Sequence, residues 1–284
     1  MKRENNFIVY IVLFILVIDI IVWSFIFFPK TFENFELYFL SVGQGDSSLI
    51  LLNNQKNKII KILIDGGPLN GNLSANLERV LGIDRYIDLV FLSHPQIDHF
   101  GGLIDILKNY NVGAFLYNGE EGKNGDWAEL NRLILHKNIP KISLKGGEIV
   151  KYGSSIINTL NSYDLSANIN DSGLVLMFDT DGTKALFTAD IDAKTEQILI
   201  QNHNIEADIL KVGHHGSKYS SDLNFLKEVG PKIAVIEVGK NSYGHPAKEV
   251  LDRLASVGAE IFDTYKLGTI KIIKQNNILK VFHF

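Results

Sequence analysis

The chain passes twice through one order of segments, and that order limits the folds open to it. Short β-prone runs joined by tight turns come first, and apolar runs alternating with helical segments follow. In the first half, residues 35–40, 48–52 and 59–64 read as strands. They are broken by the turn Val42-Gly43-Gln44-Gly45-Asp46 and closed by Asp65-Gly66-Gly67-Pro68. Helical spacing over 72–81 leads to a short buried-type strand at 89–92. Beyond it, 103–109 and 127–136 read as helices, and 114–117 and 142–144 as strands. Polar residues 161–172 predict a long loop. The second half opens with a hairpin, 174–178 and 184–188 around Asp181-Gly182. Helices at 193–202, 222–229 and 247–257 then alternate with strands at 209–212 and 233–238, before two closing strands. Hairpins before β-α alternation in each half predict two mixed sheets with helices outside, a four-layer α/β sandwich, over a doubly wound parallel sheet.

Ahead of that pattern, residues 7–28 read FIVYIVLFILVIDIIVWSFIFF. A helix of this length spans roughly 33 Å, enough to cross a bilayer. Asp19 is the one charge inside, costing about 2.5–3.5 kcal/mol if central, and the surrounding Ile, Leu, Val and Phe residues outweigh it. No small-residue cleavage site follows, which favours an anchor over a signal peptide. Lys2 and Arg3 precede the span and predict a cytoplasmic N-terminus. The expected organisation is a stub and transmembrane anchor over 1–30 and one main domain over 31–284. That places a single-pass protein in the cell membrane with its main domain extracytoplasmic. The chain has no cysteine, which excludes disulfides, Cys-ligated zinc and thiol catalysis. A net charge of −4 gives no global field for nucleic acid, so a polyanionic substrate must be held locally.

Five of the eight histidines (His94, His99, His214, His215, His245) follow apolar runs or sit in glycine-rich loops. His94-x-x-x-Asp98-His99 lies on a loop just past a strand end, where side chains converge instead of alternating sides. Nitrogen and oxygen ligands without sulfur suit zinc, manganese or iron; the alternative is a polar loop with Asp98 capping a helix. Asp190 ends the run 185–189 and either bridges two metal ions or caps the next helix. Asp65 either orients a ligand from behind or simply makes a turn. In His214-His215-Gly216-Ser217, one histidine ligates while the other holds substrate or is structural. Gly216, Ser217, Ser220 and Ser221 offer donors suited to a phosphate. His245 is a candidate ligand, proton donor or phosphate contact. His136, His203 and His283 read as structural.

Taken together, six segments resemble the metallo-β-lactamase superfamily, specifically the hydrolase domain of the competence protein ComEC and its stand-alone relatives. They are 39–46, 63–67, 92–102, 186–190, 210–217 and 243–246, in the family's order, and they span about residues 35–284. The resemblance implies an αββα sandwich with metal at the open edge between its sheets. It makes His94 a ligand of the first metal position, Asp98, His99 and His214 ligands of the second, and Asp190 the bridge. His215, Ser217 and His245 would face substrate, and the catalytic candidates are Asp98, His215 and His245. Three departures matter. Gln96 stands where the wider superfamily has a second histidine, Asn170-Asp171-Ser172 occupies the region of a third, and Ser41 replaces a common Asp. The first position is therefore poorly furnished, with His94, Gln96 and a shared Asp190. One tightly held ion, or two held loosely with manganese favoured over zinc, is the expectation.

The function that follows is a membrane-anchored, metal-dependent phosphodiesterase or nuclease acting in DNA uptake or degradation. A groove of Lys211, Lys218 and Lys240 beside the site would favour nucleic acid. Its absence would favour a small-molecule or cell-wall phosphodiester. The non-enzymatic alternative is a metal-poor surface binding module.

Overall fold

The computed structural model describes residues 10–20, 34–53, 58–160 and 172–284. The chain divides into two compact units, Met1–Glu33 and Asn34–Phe284. In the first, residues 10–20 form a helix (α1) whose side chains are all exposed. Among the described residues, no helix is long and apolar enough to cross a membrane. The rest of the expected span, 7–9 and 21–28, lies outside the described residues, as do residues 161–171 of the expected loop.

The second unit is a sandwich of two mixed sheets. Its strands begin with β1 (Phe35–Phe39), β2 (Ser48–Asn53), β3 (Ile59–Ile64), β4 (Tyr86–Leu92) and β5 (Asn111–Tyr117). They continue with β6 (Lys141–Ser143), β7 (Ile149–Tyr152), β8 (Ser155–Thr159), β9 (Leu176–Thr180) and β10 (Thr183–Phe187). The last are β11 (Ile209–Lys211), β12 (Ile233–Ile236), β13 (Glu260–Asp263), β14 (Ile270–Gln275) and β15 (Ile278–His283). The first sheet has the order β15-β14-β1-β2-β3-β4-β5-β6, and the second β13-β12-β11-β10-β9-β8-β7. Pairing is parallel from β3 to β6 and from β10 to β13, and antiparallel elsewhere. Each half thus begins with hairpins and ends in crossovers, as the segment order requires.

The helices of this unit are α2 (Leu73–Leu81), α3 (Ile97–Phe100), α4 (Leu103–Asn109), α5 (Gly125–His136), α6 (Ala193–Asn202), α7 (Leu223–Val229), α8 (Lys248–Ser256) and α9 (Thr264–Leu267). One buried cluster joins Ile62, Ile64 and Phe91 of the first sheet to Phe178, Phe187 and Val235 of the second. Phe35 meets Phe178 edge-on at 6.0 Å and Phe39 stacks on Phe187 at 6.1 Å, so aromatic pairs tie β1 to the second sheet. Burying each such side chain contributes roughly 1.5–3 kcal/mol. A second cluster packs Leu186, Leu210 and Ala234 against Leu199, Phe225, Leu226, Val250 and Leu254 of α6, α7 and α8. Leu63, Val90 and Phe115 alternate with the inward residues of their strands and are fully buried, so they face the opposite layer. The buried faces of α2, α4 and α5 supply that layer.

Three differences from the sequence reading have local causes. The hairpin β7–β8 was not anticipated, because Lys151 and Asn158 blur its alternation and Tyr152-Gly153-Ser154-Ser155 reads as loop. Asp98 and His99 sit on the helical turn α3 instead of a loop, and that turn keeps them adjacent on one side. The helix after Asp190 is capped by Asp192, whose side chain accepts from Lys194 and Thr195, so Asp190 is not a cap.

Candidate metal centre

Three imidazoles meet at the open edge of the sandwich, and in each the Nδ1 hydrogen is already committed. His99 Nδ1 donates to Asp65 Oδ2 at 2.8 Å. His215 Nδ1 donates to the Glu237 carbonyl at 2.9 Å. His94 Nδ1 meets Ser93 Oγ at 3.0 Å; that hydroxyl gives its own proton to Asp65 at 2.7 Å, so the imidazole is the donor. Each ring therefore has Nε2 left as the nitrogen a cation could take. All three Nε2 atoms are buried without a hydrogen-bond partner, as is Asp190 Oδ1. Buried polar atoms left without partners are rare and call for an explanation. A divalent cation fits this donor set, since metal-bound histidines as a rule donate their other ring hydrogen to a carboxylate or carbonyl.

The carboxylates complete the set. His99 Nε2 lies 3.4 Å and His215 Nε2 3.6 Å from Asp190 Oδ2, and His215 Nε2 lies 3.5 Å from Asp98 Oδ2. One ligand atom from each of Asp98, His99, Asp190 and His215 falls within 4.8 Å of the others. A second such group is Asp46, Asp65 and His99. His94 packs obliquely on His99, ring centres 4.1 Å apart at 51°, and stands outside the group that closes to metal-binding distance.

The backbone is bent to make this possible. Asp65, Ala189, His214 and His215 all have positive φ, at 57°, 48°, 49° and 53°. Such conformations cost about 1–3 kcal/mol each in non-glycine residues and collect at functional sites. Two left-handed residues in succession send neighbouring side chains apart. The His215 side chain is 3% exposed and turns inward, while that of His214 is 29% exposed and faces the mouth, its Nε2 3.7 Å from Asp190 Oδ2. The set that closes to metal-binding distance contains His215; His214, the ligand the resemblance implied, stands beside it.

Beneath the imidazoles lies a charged layer that the sequence reading did not find. Asp46 pairs with Lys211, side chains 4% and 2% exposed, and its other oxygen lies 3.0 Å from His215 Nδ1. Glu237 Oε1 accepts from Ser47 N–H and Ser48 Oγ, both at 3.2 Å. Burial and then the Asp46 charge push the Glu237 carboxyl up to about 8. Lys211 is consequently no part of a basic groove: Asp46 and the Ala189 carbonyl hold its ammonium inside the protein. Lys218 and Lys240, on the site loops, are exposed.

Charges inside the centre set its protonation. Burial opposes the imidazolium of His215, but the Asp190 and Asp46 carboxylates outweigh it and raise the pKa to about 10, so an incoming divalent ion would have to displace the Nε2 proton. Burial would raise Asp98, but the His215 contact and the charges of His99 and His215 bring it down to about 2. Burial and the neighbouring His99 pull His94 down to about 3. These opposed shifts among touching groups mark a site built around positive charge.

The other predicted residues line the mouth or support it. Ser93 N–H and Oγ both donate to Asp65, at 2.7 Å each, so Asp65 fixes His94 and His99 through one carboxylate. Ser217 is buried and its N–H donates to the His214 carbonyl. Gln96 is half-buried, and its carbonyl accepts from the N–H groups of His99 and Phe100 at the start of α3. His245 is half-buried, its Nδ1 has no partner, and its ring lies 5.9 Å from that of His214. Of the region 170–172, only Ser172 is described; its carbonyl accepts from Asn118 Nδ2.

The glycines of the first motif explain how distant loops meet here. A Cβ on Gly45 would lie 2.2 Å from the Asp98 carbonyl oxygen, and one on Gly239 would lie 2.3 Å from the Gly43 backbone. The Asp46 N–H donates to that same Asp98 oxygen at 3.2 Å.

Comparison with known proteins agrees with this geometry. The family model of the metallo-β-lactamase superfamily matches residues 42–239. ComE operon protein 3 of Bacillus subtilis is 29% identical over 88% of this chain and 34% of its own length. Competence protein ComA of Neisseria gonorrhoeae is 36% identical over 81% of this chain and 31% of its own length. The chain thus spans about a third of these curated relatives. The metallo-β-lactamase fold protein YhfI of Bacillus subtilis superposes with a TM-score of 0.54 over 82% of this chain and 98% of its own, at 12% identity. Motif order, two-sheet architecture and family match lead to one conclusion: the chain belongs to the metallo-β-lactamase superfamily, and its sequence is similar to part of the ComEC-like competence proteins.

Proposed function

We propose that the chain is a metal-dependent phosphodiesterase, acting as a nuclease, anchored in the membrane by residues 7–28 with its hydrolase domain over 31–284 outside the cytoplasm. The observation that carries the hydrolase reading is the convergence of the buried, unpartnered Nε2 atoms of His99 and His215 with the carboxylates of Asp98 and Asp190. His99, His215, Asp98 and Asp190 would hold zinc or manganese, with His94 and the shared Asp190 offering a weaker second position and His214 a further ligand at the rim. When bound, such an ion supplies Lewis acidity toward a phosphoryl oxygen and a nucleophile at neutral pH.

The chain's own residues do the rest. Asp98, ionised at neutral pH and 29% exposed, orients the attacking water by accepting its hydrogen bond. Asp65, Ser93 and the Glu237 carbonyl keep the imidazoles in register. Burial holds His245 below the usual histidine range, so it is neutral at pH 7 and offers an N–H group to the phosphate. Ser217, buried with its N–H on the His214 carbonyl, holds that loop in shape behind the rings.

A panel of bis-p-nitrophenyl phosphate, single- and double-stranded DNA, RNA and a choline phosphodiester, run with Mn and Zn, tests this reading. Turnover that Asp98→Ala and His99→Ala abolish without unfolding supports it; no cleavage of any member sinks it. The burial of Lys211 gives weight to a second reading, a small or cell-wall phosphodiester substrate, which the same panel separates. Exposed apolar side chains along 10–20 support the anchor, and recovery of the protein in the soluble cell fraction would refute it.

A further inference from the structure

Beside the metal centre, the loop between β12 and α8 displays an aromatic ring that the hydrolytic chemistry does not use. Tyr243 is 75% exposed, yet its loop is tightly held. Asn241 Oδ1 accepts from the N–H groups of Tyr243 and His245, both at 3.1 Å. Its Nδ2 donates to the carbonyls of Gly239 and His245, at 2.9 and 2.8 Å. Gly239 in turn donates to Gln44 Oε1 at 3.2 Å and packs against Gly43 too closely for any side chain. A tyrosine on a loose loop would fold back onto the surface, whereas this one is presented on a fixed frame.

The ring also leads somewhere. Tyr243 lies 5.7 Å from the His245 ring at 33°. His245 meets His214 edge-on at 5.9 Å, and His214 Nε2 is 3.7 Å from Asp190. Three rings therefore run from solvent to the metal-site carboxylate. On the neighbouring site loop, Tyr219 is 68% exposed with the Lys218 ammonium 5.1 Å from its ring centre, and Lys240 is exposed beside Asn241.

Resting on the phosphodiesterase reading above, we propose that Tyr243 is the platform of a nucleobase-stacking site, on which an unpaired base next to the scissile phosphate lies. Every base has a π-face, and aromatic platforms flanked by cations are how proteins hold single strands without reading sequence. The cations decide between occupants. Exposed Lys218 and Lys240 on the two site loops suit a phosphodiester backbone, while they repel a quaternary ammonium headgroup, the other ligand aromatic faces attract. A base within a duplex would first have to leave its stack.

The test uses the full chain with Mn and two single-stranded oligothymidylates, one normal and one with abasic residues throughout its centre. Tyr243→Ala should lower kcat/KM on the normal strand about 5- to 100-fold, the range for losing one base–aromatic stack. On the abasic strand the loss should stay within about threefold, and Tyr243→Phe should behave as wild type on both. Fluorescence anisotropy of strand binding should show the same pattern without turnover. Equal losses on the two strands, or none on either, overturn the stacking site and leave the phosphodiesterase reading standing. Selective loss on a choline phosphodiester overturns it in favour of a cation site. Failure of wild type to cleave either strand or bis-p-nitrophenyl phosphate overturns both.

Discussion

Lys211→Met should damage this protein far more than the loss of one lysine usually does. The substitution leaves the Asp46 carboxylate 4% exposed, with its cation gone and no solvent to replace it. Breaking one side of a buried ion pair costs about 3–5 kcal/mol, against about 0–1 kcal/mol for a pair at the surface. At roughly 2–4 °C per kcal/mol for a domain of this size, the melting temperature should fall by about 6–20 °C. The double variant Asp46→Asn/Lys211→Met removes both charges and should recover most of that loss. Its metal affinity should nonetheless stay about 10–100-fold below wild type, the usual cost of losing a group that supports a ligand. Calorimetric melting and metal titration on the three proteins read both quantities. If Lys211→Met melts within about 2 °C of wild type, or the double variant melts as low as the single one, the buried charged layer does not work as argued.

Other outcomes follow from the same geometry. His215→Ala should weaken divalent-metal binding at least about 10-fold more than His214→Ala, and equal losses by titration calorimetry would move the ligand assignment away from the inward ring. Gly45→Ala places a methyl 2.2 Å from the Asp98 carbonyl oxygen. Melting temperature and metal affinity should both drop, and a protein unchanged in both would show that this close approach is not needed. Burial pushes Glu196, which accepts from Ser221 and Asp222 N–H, from an ordinary 4.5 to about 7. Between those values the folded state keeps a proton that the unfolded chain has released, so this residue's stability is present below about pH 4.5 and is lost as pH rises toward 7. Urea unfolding at pH 5 and pH 8 should show wild type losing about 2.5 kcal/mol relative to Glu196→Gln, and a pH-independent difference would refute the shift.

The sequence is most transparent where chemistry and chain geometry coincide. His94, Asp98 and His99 follow the end of β4 in the first sheet and Asp190 the end of β10 in the second, and strand ends that share one edge of a two-sheet sandwich lie near one another. The choice between His214 and His215 was not legible, because it depends on two successive left-handed residues that no local pattern announces. The Lys211 pair was missed for a different reason. A lysine following Ile209-Leu210 in a parallel strand is one of three candidates for a groove by sequence, although a strand covered on both faces can hold a charge only beside a buried partner. That partner, Asp46, was hidden in what looked like a polar turn. Glycine spacing in Gly43-Gln44-Gly45 was the available signal, since both loops that cross there leave no room for a side chain at Gly45 and Gly239.

The central claim is that the inward nitrogens of His99 and His215 and the carboxylates of Asp98 and Asp190 bind a divalent ion. Metal content by mass spectrometry, after equilibrating the full chain with Zn or Mn and dialysing it, measures this directly. The account predicts about one to two ions per chain, falling below about a tenth of that in His99→Ala and Asp190→Ala variants that remain folded. Wild-type protein that retains neither metal, or variants that retain as much as wild type, would contradict it.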